Sequence, residues 1–233
     1  MKKLFFVASI LAVNTMLAQK TEVSFQPQTG FFFYGGKTAT KEAGFFFNDA
    51  GPSGLDGGPG KIPGISFCIE GAVKRISKKM WLYGIGLSFE SLQNRIDIIR
   101  SYGMSGSYEV TGSAKQKYKY ITTSSYFGKR VGTKKITLDV TIGIDVAFCQ
   151  SNQEKGQFLG DIGDPYSYDW EMTKPPADIR PRVQLTVYYK KIGILLGYSQ
   201  GLTDYYNNSV YADFPGIEAF SRFLRIGVSY RIK

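Results

Sequence analysis

The stretch from Lys135 to Cys149 constrains the fold more than any other part of the chain. Ile136, Leu138, Val140, Ile142, Ile144, Val146 and Phe148 occupy every second position. Thr137, Asp139, Thr141, Gly143, Asp145 and Ala147 lie between them. A period of two sends the two sets to opposite faces of a β-strand. Strands of soluble domains run to roughly five or six residues, whereas a tilted membrane strand needs roughly 9–11. This run has the length of the second kind.

The same code recurs. Phe220, Leu224, Ile226, Val228, Tyr230 and Ile232 share a face with Arg222, and Ser221, Phe223, Arg225, Gly227, Ser229 and Arg231 take the other. Ile192, Ile194, Leu196 and Tyr198 alternate with Gly193, Leu195, Gly197 and Ser199. Val183, Leu185, Val187 and Tyr189 alternate with polar neighbours. In the first half, Ile65, Phe67, Ile69 and Val73 oppose Ser66, Cys68, Glu70, Ala72 and Lys74. Trp81, Tyr83, Ile85, Leu87 and Phe89 oppose Leu82, Gly84, Gly86, Ser88 and Glu90. Residues 117–129 read as a strand of ambiguous facing, because Tyr118, Tyr120 and Tyr126 compete with Ile121, Thr123 and Phe127. A first strand falls between Glu22 and Tyr34, with Phe45-Phe46-Phe47 as a competitor.

Short connections at 76–79, 130–134 and 190–191 interleave with long ones at 35–62, 93–116, 151–179 and 203–218. Alternating short turns and long loops are the order of an up-and-down β-barrel. In each well-marked strand one face is large and apolar, and the other is Gly, Ser, Thr, Ala and a few charges. A soluble core made of the second set would be poorly filled. Turning the barrel inside out puts the apolar face in lipid and the small and charged face in the lumen. Closure also satisfies every ladder hydrogen bond, as lipid requires. The expected fold is all-β: an eight-stranded antiparallel up-and-down transmembrane β-barrel, in residues 19–233.

Met1-Lys2-Lys3 followed by the apolar run Leu4 to Ala18 reads as a signal peptide over residues 1–18, cleaved within about one residue of Ala18. Export from a Gram-negative cell then leads to the cell outer membrane. Without Lys2 and Lys3 the balance stays near +8, with 27 basic against 19 acidic residues. On an exported chain this charge points to outer-membrane lipid and lipopolysaccharide. No nucleic-acid-binding motif accompanies it, so no nucleic acid is expected as a partner. The barrel-assembly machinery is an expected partner during insertion, and an envelope protein partner is left open.

The chain contains no histidine. This excludes a Ser-His-Asp esterase and any His-bearing zinc site. No other catalytic constellation stands out, so the chain is read as no enzyme, with no catalytic, cofactor-binding or metal-binding residues and no cofactor. Asp161, Asp164, Asp169 and Glu171 gather in one long connection but match no calcium loop. Cys68 and Cys149 share inward parity on strands that are not neighbours, too far apart to favour a disulfide.

The lysine-led leader ending in Leu17-Ala18-Gln19 is one of several marks of a known group. The others are the glycine-bearing strands Tyr83-Gly84-Ile85-Gly86-Leu87 and Ile194-Leu195-Leu196-Gly197-Tyr198, and the last strand Leu224-Arg225-Ile226-Gly227-Val228-Ser229-Tyr230. Together they resemble the small outer-membrane β-barrel proteins of the Bacteroidetes type, the "porin family" or PorT-like barrels. The chain departs from them in ending Tyr230-Arg231-Ile232-Lys233 and not in an aromatic residue. The resemblance implies a fold and a location and fixes no activity.

Two residue sets follow from parity. Trp81, Tyr83, Tyr189 and Tyr230 on the turn side, with Phe89, Phe148 and Tyr198 on the loop side, are the expected membrane-interface aromatics. Glu70, Lys74, Glu90, Asp139, Asp145, Arg225 and Arg231 are the expected lumen charge network. Counting from the short turns puts Glu70, Asp139 and Arg225 in one middle layer. Glu90 and Asp145 fall above it, and Lys74 and Arg231 fall near the mouth. Arg225 is then expected to pair with Asp139 or Glu70. The expected function is an outer-membrane barrel with a largely side-chain-filled lumen, acting structurally or in surface interaction through its long loops. The alternatives are a narrow passive pore or an accessory part of a secretion or gliding machine.

Overall fold

The computed structural model describes residues 18–48, 51–103, 106–133, 135–159, 164–206 and 218–232. Residues 1–17 of the expected signal peptide and Asp161 lie outside them. The described residues form β1 (Ala18–Gly35), β2 (Glu42–Asn48), β3 (Gly51–Leu55), β4 (Ile62–Ser77), β5 (Trp81–Gly103) and β6 (Gly106–Gly132). They continue with β7 (Ile136–Leu159), β8 (Pro165–Glu171), β9 (Asp178–Tyr189), β10 (Ile192–Gln200) and β11 (Phe220–Arg231). The all-β expectation holds for these residues.

Eight of the strands pair in the order β5-β4-β1-β11-β10-β9-β7-β6, and β6 pairs again with β5. Every ladder in this circuit is antiparallel. The first and last strands meet through Phe25 opposite Tyr230 and Phe31 opposite Leu224. The sheet has eleven strands where eight were expected. The additional three lie in stretches that read as loops: β2 and β3 between β1 and β4, and β8 between β7 and β9. β2 contains the competing Phe45-Phe46-Phe47 run and lies parallel to the far end of β5.

The long connections are therefore shorter than expected. Residues 93–116 are mostly strand, because β5 runs to Gly103 and β6 starts at Gly106. β7 continues to Leu159 past an irregularity where Cys149 and Ser151 face Tyr120 and Lys119. Pairing there is carried by the backbone. The apolar alternation that marks a strand in sequence fades because neither face is uniformly apolar.

The two faces follow parity. Phe67, Ile85, Leu87, Ile142, Ile194 and Ile226 are exposed on the outside of the circuit. Ser66, Glu70, Lys74, Ser88, Glu90, Asp139, Thr141 and Asp145 are buried inside it. The ambiguous β6 resolves with Ile121, Thr123 and Phe127 outward and Tyr118 and Tyr120 inward. The inward glycines of the quoted motif make room for large neighbours. A Cβ on Gly84 would lie 2.2 Å from the Tyr126 ring, and one on Gly86 would lie 2.4 Å from Glu70 Oε1.

Candidate functional site: ion pairs inside the circuit

Nearest the short turns, Arg130 joins two strands to β1. Its Nη1 and Nη2 donate to the two oxygens of Glu22 at 2.9 and 2.8 Å, and its Nε donates to Asp139 at 2.6 Å. Two-pronged contacts of this kind combine charge with fixed geometry. Lys74 Nζ donates to Asp139 at 2.8 Å and to the Tyr188 hydroxyl at 3.1 Å. Arg231 lies 3.3 Å from Glu22, with its guanidinium carbon 3.4 Å from the Tyr188 ring centroid.

In the next layer Arg182 pairs with Glu70 at 3.0 Å, and Gln28 and Ser124 also donate to that carboxylate. Arg182 Nε also lies 3.4 Å from Asp145, which ties this layer to the one above. There, Arg180 donates to Glu90 at 2.8 Å and to Asp178 at 2.6 Å. Arg225 reaches Asp145 at 3.4 Å, Glu90 at 3.7 Å and the Ser199 hydroxyl at 2.7 Å. Across the layers, six cationic side chains (Lys74, Arg130, Arg180, Arg182, Arg225, Arg231) face six carboxylates (Glu22, Glu70, Glu90, Asp139, Asp145, Asp178). Equal numbers of each sign leave no excess charge, which would be costly in such an interior.

All seven residues of the expected charge network lie on the inner face. Six are buried, and the Arg231 side chain is 11% exposed. Their grouping differs from the expectation. Arg225 pairs with neither Asp139 nor Glu70, and Asp139 belongs with Lys74 near the turns. Counting upward from each strand's own turn assumes a common height. Tilted strands in a staggered register shift that height from one strand to the next.

Glu22, Arg130, Asp178, Arg180 and Arg182 escaped the sequence reading. Glu22 sits on β1, whose register was the least marked. Arg130 lies in a stretch read as a turn. Arg180 and Arg182 were legible in principle, because extending the parity of Val183, Leu185 and Val187 back by four residues turns both inward.

Above the charges the interior becomes aromatic. Phe32, Tyr34, Tyr118, Tyr120 and Phe223 are buried together, with Tyr205 packed against them. The Tyr34 and Tyr118 rings meet edge-on at 5.7 Å. A cavity of about 10 Å³ remains between Glu70, Lys74, Asp139 and Arg182, room for roughly one water molecule. Beyond the circuit, Phe45, Phe158, Tyr168 and Trp170 pack into a second cluster. There the buried Glu154 accepts from Gln116 at 2.9 Å and from Tyr168 at 3.2 Å. Burial raises the carboxyl's pKa above its ordinary value, and those two hydrogen bonds only partly offset the rise.

The seven expected interface aromatics all have outward parity. Tyr83, Phe89, Phe148, Tyr189, Tyr198 and Tyr230 are exposed and Trp81 is partly so. Cys68 and Cys149 are free thiols. Among the described residues no group of three His, Cys, Asp or Glu side chains could hold a metal ion.

These features define an all-β protein with charged side chains buried on its inner face and apolar side chains exposed on its outer face. No family model matches the sequence, and no curated protein matches it. Among solved structures the chain aligns with Ail, the attachment invasion locus protein of Yersinia pestis, crystallised with the heparin analogue sucrose octasulfate. The two are 12% identical, the alignment covers 91% of this chain and 97% of that one, and the TM-score is 0.38. It also aligns with Neisserial surface protein A (NspA), at 8% identity over 92% of this chain and 100% of that one, with a TM-score of 0.39.

Proposed function

We propose that the chain is an outer-membrane protein whose eight paired strands cross the membrane as an up-and-down β-barrel. Its lumen is plugged by ion pairs, and it acts at the cell surface through the parts that rise beyond the membrane. The observation that carries this reading is the inversion of the two faces. Ile85 is 65% exposed and Ile194 is 64% exposed, while Arg180 and Arg225 are at most 1% exposed. In water this arrangement would leave a broad apolar belt unburied while burying a dozen charges. In a bilayer the belt meets acyl chains. No helix among the described residues is long and apolar enough to cross a membrane.

The lengths support an asymmetric placement. β5, β6 and β7 have 23, 27 and 24 residues, well beyond the roughly 9–11 needed to cross. The excess lies on the side away from the short turns, where β2, β3 and β8 add to it. A lumen closed by twelve charged groups and an aromatic cap favours a structural or surface-interaction role over a pore.

Folded protein extracted in mild detergent should migrate differently on a gel before and after boiling, and it should show little steady conductance in a planar bilayer. Recovery as a soluble monomer would contradict the membrane reading. Stable open channels would contradict the plug and favour the pore.

A further inference from the structure

On the outer face of β5, β6 and β7 the apolar belt ends at one row: Phe89, Ile121 and Phe148, opposite one another in the ladders. The next three outward rows away from the turns are Ser91-Lys119-Ser151, Gln93-Lys117-Gln153 and Arg95-Lys115-Lys155. These nine positions hold five cations, four neutral hydrogen-bonding side chains and no carboxylate. Lys115, Lys117 and Lys119 are exposed along the middle strand, spaced about 7 Å apart as alternate residues of a strand are. Arg95 is paired with Asp97 at 3.1 Å and Lys155 with Asp169 at 2.5 Å, but no described carboxylate pairs with any of the three central lysines.

A like-charged row of this kind repels itself unless something anionic lies against it. Its position says what that is. The block begins one row above the belt, at the height of the headgroups of the leaflet on the loop side. We propose that Lys115, Lys117 and Lys119 form a binding face for the phosphorylated headgroup of the outer-leaflet glycolipid, lipid A. Two phosphates carried at opposite ends of one disaccharide can each meet an ammonium of the row. The flanking Ser91, Gln93, Ser151 and Gln153 can hydrogen-bond the sugar and phosphate oxygens. The ammonium groups replace the divalent cations that otherwise bridge neighbouring glycolipids. This assignment rests on the membrane reading above, with the short turns on the periplasmic side.

The test uses full-length folded protein in detergent, with bisphosphorylated lipid A, dephosphorylated lipid A and phosphatidylglycerol as separate probes, read by native mass spectrometry. The variant is Lys115→Gln/Lys117→Gln/Lys119→Gln. Its control is Lys78→Gln/Lys79→Gln/Lys191→Gln, which removes three exposed cations at the turn end. Each lysine near an anionic surface contributes enough that losing three should weaken lipid A binding about a hundredfold. The control should retain its affinity, and dephosphorylated lipid A should bind weakly to all forms. Unchanged binding by the first variant, an equal loss in the control, or equal affinity for phosphatidylglycerol would overturn the proposal. Heat-modifiable migration is checked on each variant first. Its absence from the unmutated protein would count against the membrane reading itself and not against the lysine row.

Discussion

Arg180 and Glu90 form an ion pair with no surface open to solvent: Nη1 donates to the carboxylate at 2.8 Å, and both side chains are 0% exposed. The pair joins β9 to β5, which are not neighbours in the circuit. It crosses the interior and holds two parts of the wall at a fixed separation. Removing one partner strands the other in a medium that cannot solvate it.

Arg180→Met should therefore lower the stability of the folded protein in micelles by about 3–5 kcal/mol. Adding Glu90→Gln should recover part of the loss. Urea unfolding followed by tryptophan fluorescence reads both. A single variant as stable as the parent would show that the pair is solvated.

Arg225 tests the observed grouping against the one expected from counting residues. A double-mutant cycle between Arg225→Met and Asp145→Asn should give a coupling of roughly 0.5–3 kcal/mol. The cycle between Arg225→Met and Asp139→Asn should give less than about 0.5 kcal/mol. A large coupling to Asp139 would mean that the strand stagger differs from that described.

The glycines provide a contrast between the two faces. A Cβ on Gly86 would sit 2.4 Å from Glu70 Oε1 and 2.5 Å from Ser124 Oγ, both part of the Arg182 site. Gly86→Ala should cost about 1–3 kcal/mol by overpacking. Leu87→Ala, one residue away on a side chain that is 60% exposed, should cost less in a bilayer. A soluble core around Leu87 would reverse that order.

Glu154 gives the part beyond the belt a pH dependence. Its folded pKa is raised above the ordinary 4.5 by burial, so the folded state binds the proton more tightly than the unfolded state. The resulting stabilisation is full below about pH 4.5 and is lost as the pH rises through the folded pKa. Trp170, 4.3 Å from the Tyr168 ring, reports locally once Trp81 is replaced by Phe. Denaturation of this cluster should become easier with rising pH across that window, and Glu154→Gln should flatten the profile. An unchanged slope in the variant would assign the dependence to another group.

The sequence made the strands legible where one face was uniformly apolar. The seven-residue alternation in β7 and the glycine-bearing runs of β5 and β10 needed nothing more. It was silent beyond the belt. There the upper part of β7 and the start of β6 pair through backbone groups and their side chains keep no apolar period, while the alternating Tyr166, Tyr168 and Trp170 of β8 form a run of only seven residues. Parity also turned Glu70, Glu90, Asp139, Asp145 and Arg225 inward, but it could not say which would meet. Several partners in this interior come from strands distant in the chain, as with Lys74 and Asp139 or Arg180 and Glu90, so stagger decides them. Tyr118 and Tyr120 were ambiguous for a related reason: aromatic residues serve both the outer belt and the cap inside.

Which face of β7 meets lipid distinguishes a membrane barrel from a soluble sheet most directly. In a Cys68→Ser/Cys149→Ser background, a nitroxide placed in turn at positions 140 to 146 and reconstituted in vesicles measures this by its collision rates. Val140, Ile142 and Ile144 should give high accessibility to oxygen and low accessibility to a water-soluble nickel chelate. Thr141, Gly143 and Asp145 should be poorly accessible to both, as expected of a filled lumen. High nickel accessibility at 140, 142 and 144 would place that face in water and contradict the membrane barrel.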